Sequence, residues 1–319
     1  MTSAASFPDV ELALIGGQQP FVFEELRNRF KIHSVYAEAD PFAVLEHIGG
    51  SIRGAVGHGM AGLTRRHIEL MPKLEICALN GVGLETSDLA AIRARGIKLT
   101  TTPVLFDDVA DLAVTLALSC CRQIPLADRF VRSGQWEKDR LPLGRKLTGL
   151  RVGILGLGRI GIEVARRLEA FKTRIFYADP IKRDDVPYTH VADAKALAEN
   201  VDIFFLCAAG NAKGAPPMIG RELFEALGPR GIFINIARGW LVDEPELIKA
   251  LQEKRLGAAG LDVFYDEPLV PAALRALDNV VLTPHIASST EETMRAMGAC
   301  VIDNLVSWFS GRGALTSVT

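Results

Sequence analysis

The sequence predicts an α/β protein of two lobes, each a parallel sheet covered by helices. Short apolar runs alternate with amphipathic, helix-length segments over most of the chain. One such run, residues 151–155, opens directly into a glycine-rich turn, and 319 residues are enough for two lobes with cores of their own.

The glycine-rich stretch is the most informative. The run Val152-Gly153-Ile154-Leu155 leads into Gly156-Leu157-Gly158-Arg159-Ile160-Gly161; Ile160, Val164 and Leu168 then mark one helix face, and a second strand-like run ends in Asp179. A buried strand, a tight turn, a helix N-terminus and an acid after the next strand are what a dinucleotide needs. Gly156 permits the turn, Gly158 has no side chain to hold a pyrophosphate away from the backbone, and Gly161 lets the helix settle on the sheet. Free N–H groups at the helix start face the anion. Asp179 would accept hydrogen bonds from ribose hydroxyls. This part of the chain therefore reads as a Rossmann-type doubly wound sheet, with Gly156, Gly158, Arg159, Ile160, Gly161 and Asp179 as cofactor-binding candidates.

Composition narrows the partners. A hydrophobic share of 49% with 23% charged residues is an ordinary globular mixture, and a net charge of −2 without a dense Lys/Arg tract argues against nucleic acid and against an anionic membrane as partners. Cys77, Cys120, Cys121, Cys207 and Cys300 sit among apolar residues, without CxxC spacing or nearby histidines, so they read as reduced core residues and no metal is expected. The first residues lack a basic segment followed by a long apolar core, and no later run is long and apolar enough to span a bilayer; a cytoplasmic protein is expected.

In chain order, residues 10–15, 32–36, 52–56, 74–79 and 97–99 read as strands separated by helices. The fourth ends in Asn80-Gly81-Val82-Gly83, a loop at the carboxyl end of a strand, where open α/β sheets bind ligands; the same residues also suit a plain connection. Thr100-Thr101-Thr102-Pro103 ends this lobe. The chain crosses near residues 100–106 into a long helix marked by Val109, Leu112, Ala113, Leu116 and Cys120, with Asp107 or Asp108 as its N-cap. Residues 134–149, with Trp136 and Pro142, lack periodicity and read as an exposed arm, either solvated or packed on a second subunit. Further strands are expected at 203–206, 232–235, 258–263 and 280–282, with helices at 221–227 and 244–253 between them. Met294, Met297, Val301, Leu305 and Trp308 share one face of a helix over 291–309 that returns to the first lobe, followed by a frayed tail from Gly311.

Three polar residues lie just beyond strands of the second lobe: Arg238 in Asn235-Ile236-Ala237-Arg238-Gly239, Glu267 before Pro268, and His285 in Thr283-Pro284-His285-Ile286. The carboxyl ends of parallel strands converge, so residues distant in sequence can meet beside a nicotinamide. Their types suit hydride transfer to a 2-keto acid. A protonated imidazole delivers a proton to the C2 oxygen, a neighbouring carboxylate favours the imidazolium and orients it, and a guanidinium polarises the keto oxygen and binds the carboxylate. Asp262, at another strand end, either hydrogen-bonds the nicotinamide amide or serves as a local turn acceptor.

The glycine loop, Asn235-Ile236-Ala237-Arg238-Gly239-Trp240-Leu241-Val242-Asp243-Glu244, Ala259-Gly260-Leu261-Asp262-Val263-Phe264-Tyr265-Asp266-Glu267-Pro268 and Thr283-Pro284-His285-Ile286 together resemble the D-isomer-specific 2-hydroxyacid dehydrogenases, in particular their glyoxylate and hydroxypyruvate reductase branch. The similarity extends over residues 10–309. It implies NAD(P)H-dependent reduction of a small 2-keto acid to the D-2-hydroxy acid, with Arg238, Glu267 and His285 catalytic, and with Arg238 and the N–H groups of Val82 and Gly83 on the substrate carboxylate. It also implies a smaller flavodoxin-like substrate domain at 1–101, an NAD(P)-binding domain at 102–289, and a C-terminal helix within 290–319 that completes the first domain. Two lobes closing over the substrate and a homodimer formed largely through the cofactor lobe complete the expectation.

The sequence departs from that pattern twice. NADPH-dependent members of the branch commonly carry Ser-Arg or a similar pair where this chain has Asp179-Pro180, and a carboxylate there repels a 2′-phosphate. NAD is therefore favoured, while NADP stays open because Lys182 and Arg183 follow; these two read first as a solvated charged loop. Phe106 stands where similar proteins often carry a small polar residue. Two rival functions share the resemblance: an NAD(H)-sensing interaction protein like the C-terminal binding protein corepressors, and a phosphoglycerate dehydrogenase.

Overall fold

Apolar runs of four or five residues, too short for helices, become parallel strands buried on both faces. The computed structural model describes residues 5–59, 61–104, 106–210 and 212–319. The chain divides into two units, residues 1–105 with 290–319, and residues 106–289.

The first unit begins β1 (Phe7–Leu14), α1 (Pro20–Arg29), β2 (Phe30–His33), α2 (Pro41–Ile48), β3 (Ile52–His58), α3 (Arg65–Leu70), β4 (Ile76–Asn80), α4 (Leu89–Ala94) and β5 (Lys98–Thr100). The second unit runs α5 (Phe106–Arg122), α6 (Ile124–Arg132), β6 (Arg151–Leu155), α7 (Arg159–Glu169), β7 (Arg174–Ala178), β8 (Thr189–His190), α8 (Ala194–Asn200), β9 (Ile203–Leu206), α9 (Arg221–Leu227), β10 (Ile232–Asn235), α10 (Glu244–Gln252), β11 (Ala258–Leu261), α11 (Ala272–Arg275) and β12 (Val280–Leu282). α12 (Glu291–Phe309) then returns to the first unit.

The first sheet has the order β2-β1-β3-β4-β5, all pairs parallel. One face carries α2, α3 and α4 through Leu45, Ile68 and Ile92, packed with Ala13, Ala55, Cys77 and Leu99. The other face is closed by α1 and α12: Val22, Leu26, Val301 and Leu305 cover Leu12, Leu14, Val56 and Ala78. The second sheet has the order β12-β11-β10-β9-β6-β7-β8, again all parallel. Its order reverses between β6 and β9, which is the switch point of a doubly wound sheet. Phe204 and Phe233 pack with Leu197, Phe224 and Leu247 from α8, α9 and α10. α5 lies so close to β11 that a Cβ on Gly260 would stand 3.0 Å from the Leu116 Cβ.

Several local expectations are corrected. α5 starts at Phe106, so Asp107 and Asp108 lie in its first turn instead of capping it; Asp107 binds Arg167 of α7 at 2.8 Å. Leu105, in the crossing stretch, lies outside the described residues. The helix α6, which opens with Pro125 in its first turn, and the two-residue strand β8 are not among the expected elements. In the 134–149 arm only Gln135–Glu137 forms a helical turn, and Leu143 is 98% exposed. The tail expected to fray from Gly311 is ordered. Ser317 bridges to Thr100 in antiparallel fashion, the Val318 N–H donates to the Leu99 carbonyl at 2.8 Å, and the Thr319 hydroxyl accepts from the Leu99 N–H. It therefore covers the open edge of β5, satisfying backbone groups that an edge strand would otherwise expose. The tail is in turn held by the fully buried Asn304, whose Oδ1 accepts from the N–H groups of Leu315 (2.9 Å) and Thr316 (3.0 Å).

All five cysteines are free thiols. Burial pushes Cys77 and Cys207 up to about 12, and raises Cys120, Cys121 and Cys300 as well, so the thiols are held in their unreactive protonated form. Among the described residues no single helix is long and apolar enough to cross a membrane.

Replacing Asn304 by Ala leaves two N–H groups without their acceptor and is expected to lower the unfolding free energy by about 2–3 kcal/mol. Urea denaturation measures it, and an unchanged midpoint would show that the tail is held without Asn304.

Candidate active site

In a parallel sheet every strand delivers its following turn to the same edge, so the turns after β6, β7, β10, β11 and β12 share one edge of the second unit. The glycine turn after β6 is tightly determined. Gly156 has φ +90°, and a Cβ there would stand 2.5 Å from the Ala208 Cα; a Cβ on Gly161 would stand 2.2 Å from the Gly156 carbonyl oxygen. Gly158 is the opposite case, because a Cβ there meets nothing within 4 Å. No side chain caps α7, whose first residues are Arg159, Ile160 and Gly161. Open space at Gly158 beside uncapped helical N–H groups fits a dinucleotide pyrophosphate.

Asp179 stands beside this turn and helps to shape it. Its Oδ2 accepts the Leu157 N–H at 2.9 Å and its Oδ1 the Ile181 N–H at 3.3 Å. A carboxylate has about four acceptor positions, so room remains for ribose hydroxyls. Arg183 is not the solvated loop residue expected. Its Nη1 donates to the Leu157 carbonyl at 3.1 Å, its Nε binds Asp185 at 2.9 Å, and its backbone N–H donates to the buried Tyr177 hydroxyl at 2.8 Å. Lys182 does conform, being exposed and 3.5 Å from Asp184.

The turns after β10 and β11 press together. A Cβ on Gly239 would lie 1.9 Å from the Phe264 carbonyl carbon, so only glycine lets the Arg238 turn seat against the segment leading to Glu267. The buried Asn235 shapes the first turn, accepting from the Ala237 N–H at 3.0 Å and donating to the Arg238 carbonyl at 3.1 Å. The Arg238 guanidinium donates to the Ala237 carbonyl and lies 5.9 Å from the Trp240 ring centre.

Glu267 is bound at both oxygens: Oε1 accepts the Phe264 N–H at 3.0 Å, and Oε2 lies 2.6 Å from Nδ1 of His285. Burial alone would raise its pKa, but the His285 and Phe264 hydrogen bonds, with the charges of His285 and Arg238, hold it below the ordinary 4.5. Thus His285 touches Glu267 directly, and Arg238 is near enough for its charge to act on the same carboxylate.

His285 itself has φ +53°, a left-handed conformation that few non-glycine residues adopt. Asp262 holds it there. Its carbonyl accepts the His285 N–H at 2.9 Å, while its wholly buried carboxylate accepts the Thr283 hydroxyl (2.7 Å) and the N–H groups of Ile286 (2.9 Å) and Ala287 (3.0 Å). Burial pushes its pKa up despite these three donors. Of the two roles open to Asp262, the structure displays the turn acceptor.

Val82 and Gly83 belong to the first unit. There Gly81, at φ +140°, donates its N–H to the Thr102 hydroxyl at 2.8 Å and accepts from the Thr102 N–H at 2.9 Å. Among the described residues no hydrogen bond from the N–H groups of Val82 or of the buried Gly83 is present. Among the described residues no group of three or more His, Cys, Asp or Glu side chains is arranged for a metal ion.

Known proteins agree with this architecture. A family model, D-isomer specific 2-hydroxyacid dehydrogenase, NAD binding domain, matches residues 114–287. The hydroxyphenylpyruvate reductase of Plectranthus scutellarioides is 44% identical over 93% of this chain and 95% of its own. The 2-hydroxyacid dehydrogenase of Ketogulonicigenium vulgare superposes with a TM-score of 0.92 at 43% identity, covering 98% of this chain and 99% of that one. An NADPH-dependent glyoxylate/hydroxypyruvate reductase of Sinorhizobium meliloti, solved with NADP and malonate, superposes with a TM-score of 0.91 at 38% identity, covering 98% and 97%. Fold and glycine turn define a nicotinamide-dependent oxidoreductase. The chain belongs to the D-isomer-specific 2-hydroxyacid dehydrogenase family, in the branch that holds the glyoxylate and hydroxypyruvate reductases.

A carboxyl group whose folded pKa is depressed contributes stability that is present above its unfolded value and lost as pH falls through the folded one. Glu267→Gln is therefore expected to cost most near neutrality and progressively less below pH 4.5. Urea denaturation of both proteins across that range measures it; a difference that stays constant with pH would show that the carboxylate charge contributes nothing.

Proposed function

We propose that the protein reduces a small 2-keto acid of the glyoxylate or hydroxypyruvate type to the D-2-hydroxy acid. The observation that carries this reading is the 2.6 Å contact between Glu267 and His285 Nδ1, on the sheet edge that also holds the glycine turn. A carboxylate on Nδ1 keeps a proton there and leaves Nε2 for the substrate. In the protonated ring, Nε2 delivers its proton to the C2 oxygen as that oxygen gains negative charge. Arg238 polarises the same oxygen and binds the substrate carboxylate. Bound NAD(P)H supplies the hydride. The relatives' named activities, reduction of glyoxylate, hydroxypyruvate and hydroxyphenylpyruvate, support the 2-keto acid class.

NADH is the favoured cofactor in this reading. Asp179 places a carboxylate where a 2′-phosphate would come, and the Arg183 guanidinium is already engaged by Asp185 and the Leu157 carbonyl. A homodimer is supported by apolar residues left exposed on α6 and the following arm: Val131 at 55%, Trp136 at 60% and Leu143 at 98%. Five free cysteines suit a reducing, cytoplasmic setting.

Following nicotinamide absorbance with glyoxylate, hydroxypyruvate, pyruvate and hydroxyphenylpyruvate tests the reading directly. Binding of NADH without turnover on any of them would favour a nucleotide-sensing role. His285→Ala is expected to lower kcat by about 10²–10⁴ while leaving NADH affinity unchanged, and near-normal turnover would remove His285 from the acid role. Asp179→Ser is expected to shift the ratio of kcat/KM values towards NADPH by about tenfold; an unmoved ratio would place cofactor choice elsewhere.

A further inference from the structure

Phe106 and Arg159 are the first residues of α5 and α7, and the Arg159 guanidinium carbon lies 4.7 Å from the Phe106 ring centre. Other arginines around the glycine turn are tied to acids: Arg183 to Asp185, and Arg167 to Asp107, Asp111 and Glu163. Arg159 has no carboxylate partner among the described residues, although it stands beside the open position at Gly158. The helix turn that carries this ring is itself anchored. Asp107 and Asp111, in the first turns of α5, both bind Arg167, whose side chain is only 24% exposed, which ties the start of α5 to α7.

The choice of an aromatic partner has a chemical consequence. A carboxylate would hold the arginine equally well but cancel its charge, whereas a ring face restrains the guanidinium and leaves the charge available to an anion. We propose that Phe106 is a positioning residue for the cofactor: it holds Arg159 extended along the glycine turn, ready for the pyrophosphate. This rests on the reading of the turn as the dinucleotide site.

Titration of NADH into purified full-length protein, followed by nicotinamide fluorescence, tests it with wild type, Phe106→Leu, Phe106→Tyr, Arg159→Gln and the double variant Phe106→Leu/Arg159→Gln. Phe106→Leu keeps an apolar side chain but lacks the ring face, and is expected to raise the Kd about three- to tenfold, with Phe106→Tyr restoring it. In the Arg159→Gln background, Phe106→Leu should change nothing further. Wild-type affinity in Phe106→Leu overturns the proposal, as does an equal loss with and without Arg159, which would mean that the ring acts on the cofactor or the fold by itself. Failure of the wild-type protein to bind NADH or NADPH would instead remove the dinucleotide reading beneath it.

Discussion

The buried carboxylate of Asp262 is the constraint on which the candidate site depends. It accepts three donors from residues 283–287, while its own carbonyl takes the His285 N–H. Hydrogen bonds to a charged group are worth about 1.5–3 kcal/mol each, whereas a non-glycine residue in the left-handed region costs about 1–2 kcal/mol. Three such bonds outweigh one strained residue, so the turn after β12 keeps His285 at φ +53° and its ring against Glu267. The same burial that raises the Asp262 pKa makes the arrangement all-or-none, because a donor withdrawn from it would leave charge buried without compensation.

Topology explains why such a small number of contacts suffices. With every pair in the second sheet parallel, the turns after β10, β11 and β12 are neighbours before any side chain is considered. Local packing then only has to set their registers. Gly239 does this between the first two turns by allowing backbone contact with Phe264, and the Glu267–His285 pair does it between the second and third. Arg238 gains its place from the buried amide of Asn235, a strand-end residue whose side chain bends the chain.

Much of this was readable from the sequence. The buried strands were visible as apolar runs, the glycine turn as three glycines at fixed spacing, and Arg238, Glu267 and His285 as polar residues just past strands. Features that depend on distant partners were not. Nothing within residues 311–319 reveals that Asn304, a turn or more back along α12, accepts their N–H groups, so the tail read as frayed. Asp107 looked like a helix cap because its ion-pair partner, Arg167, lies sixty residues on. Arg183 looked solvated because its anchors are a tyrosine hydroxyl and a carbonyl of the glycine turn, neither of which local composition exposes. The Gly239 contact, by contrast, had a signal in the glycine itself, which marks a close backbone approach whenever no turn requires it.

Charge placement separates residues that hold the fold from those free to meet a ligand. Exposed ion pairs contribute little to stability, and pairs such as Arg132 with Asp128 on α6 serve mainly to neutralise one another. Arg167 differs: its side chain is three-quarters buried and its guanidinium binds three carboxylates, joining α5 to α7 against the cost of desolvation. Around the glycine turn the pattern divides again. Arg183 is neutralised and serves the turn's shape, whereas Arg159 is restrained by an aromatic ring that leaves its charge intact. A surface evolved for stability alone would have no reason to treat two neighbouring cations so differently. An anionic ligand does supply one, because its binding free energy depends on meeting a charge that is both unneutralised and already held in place.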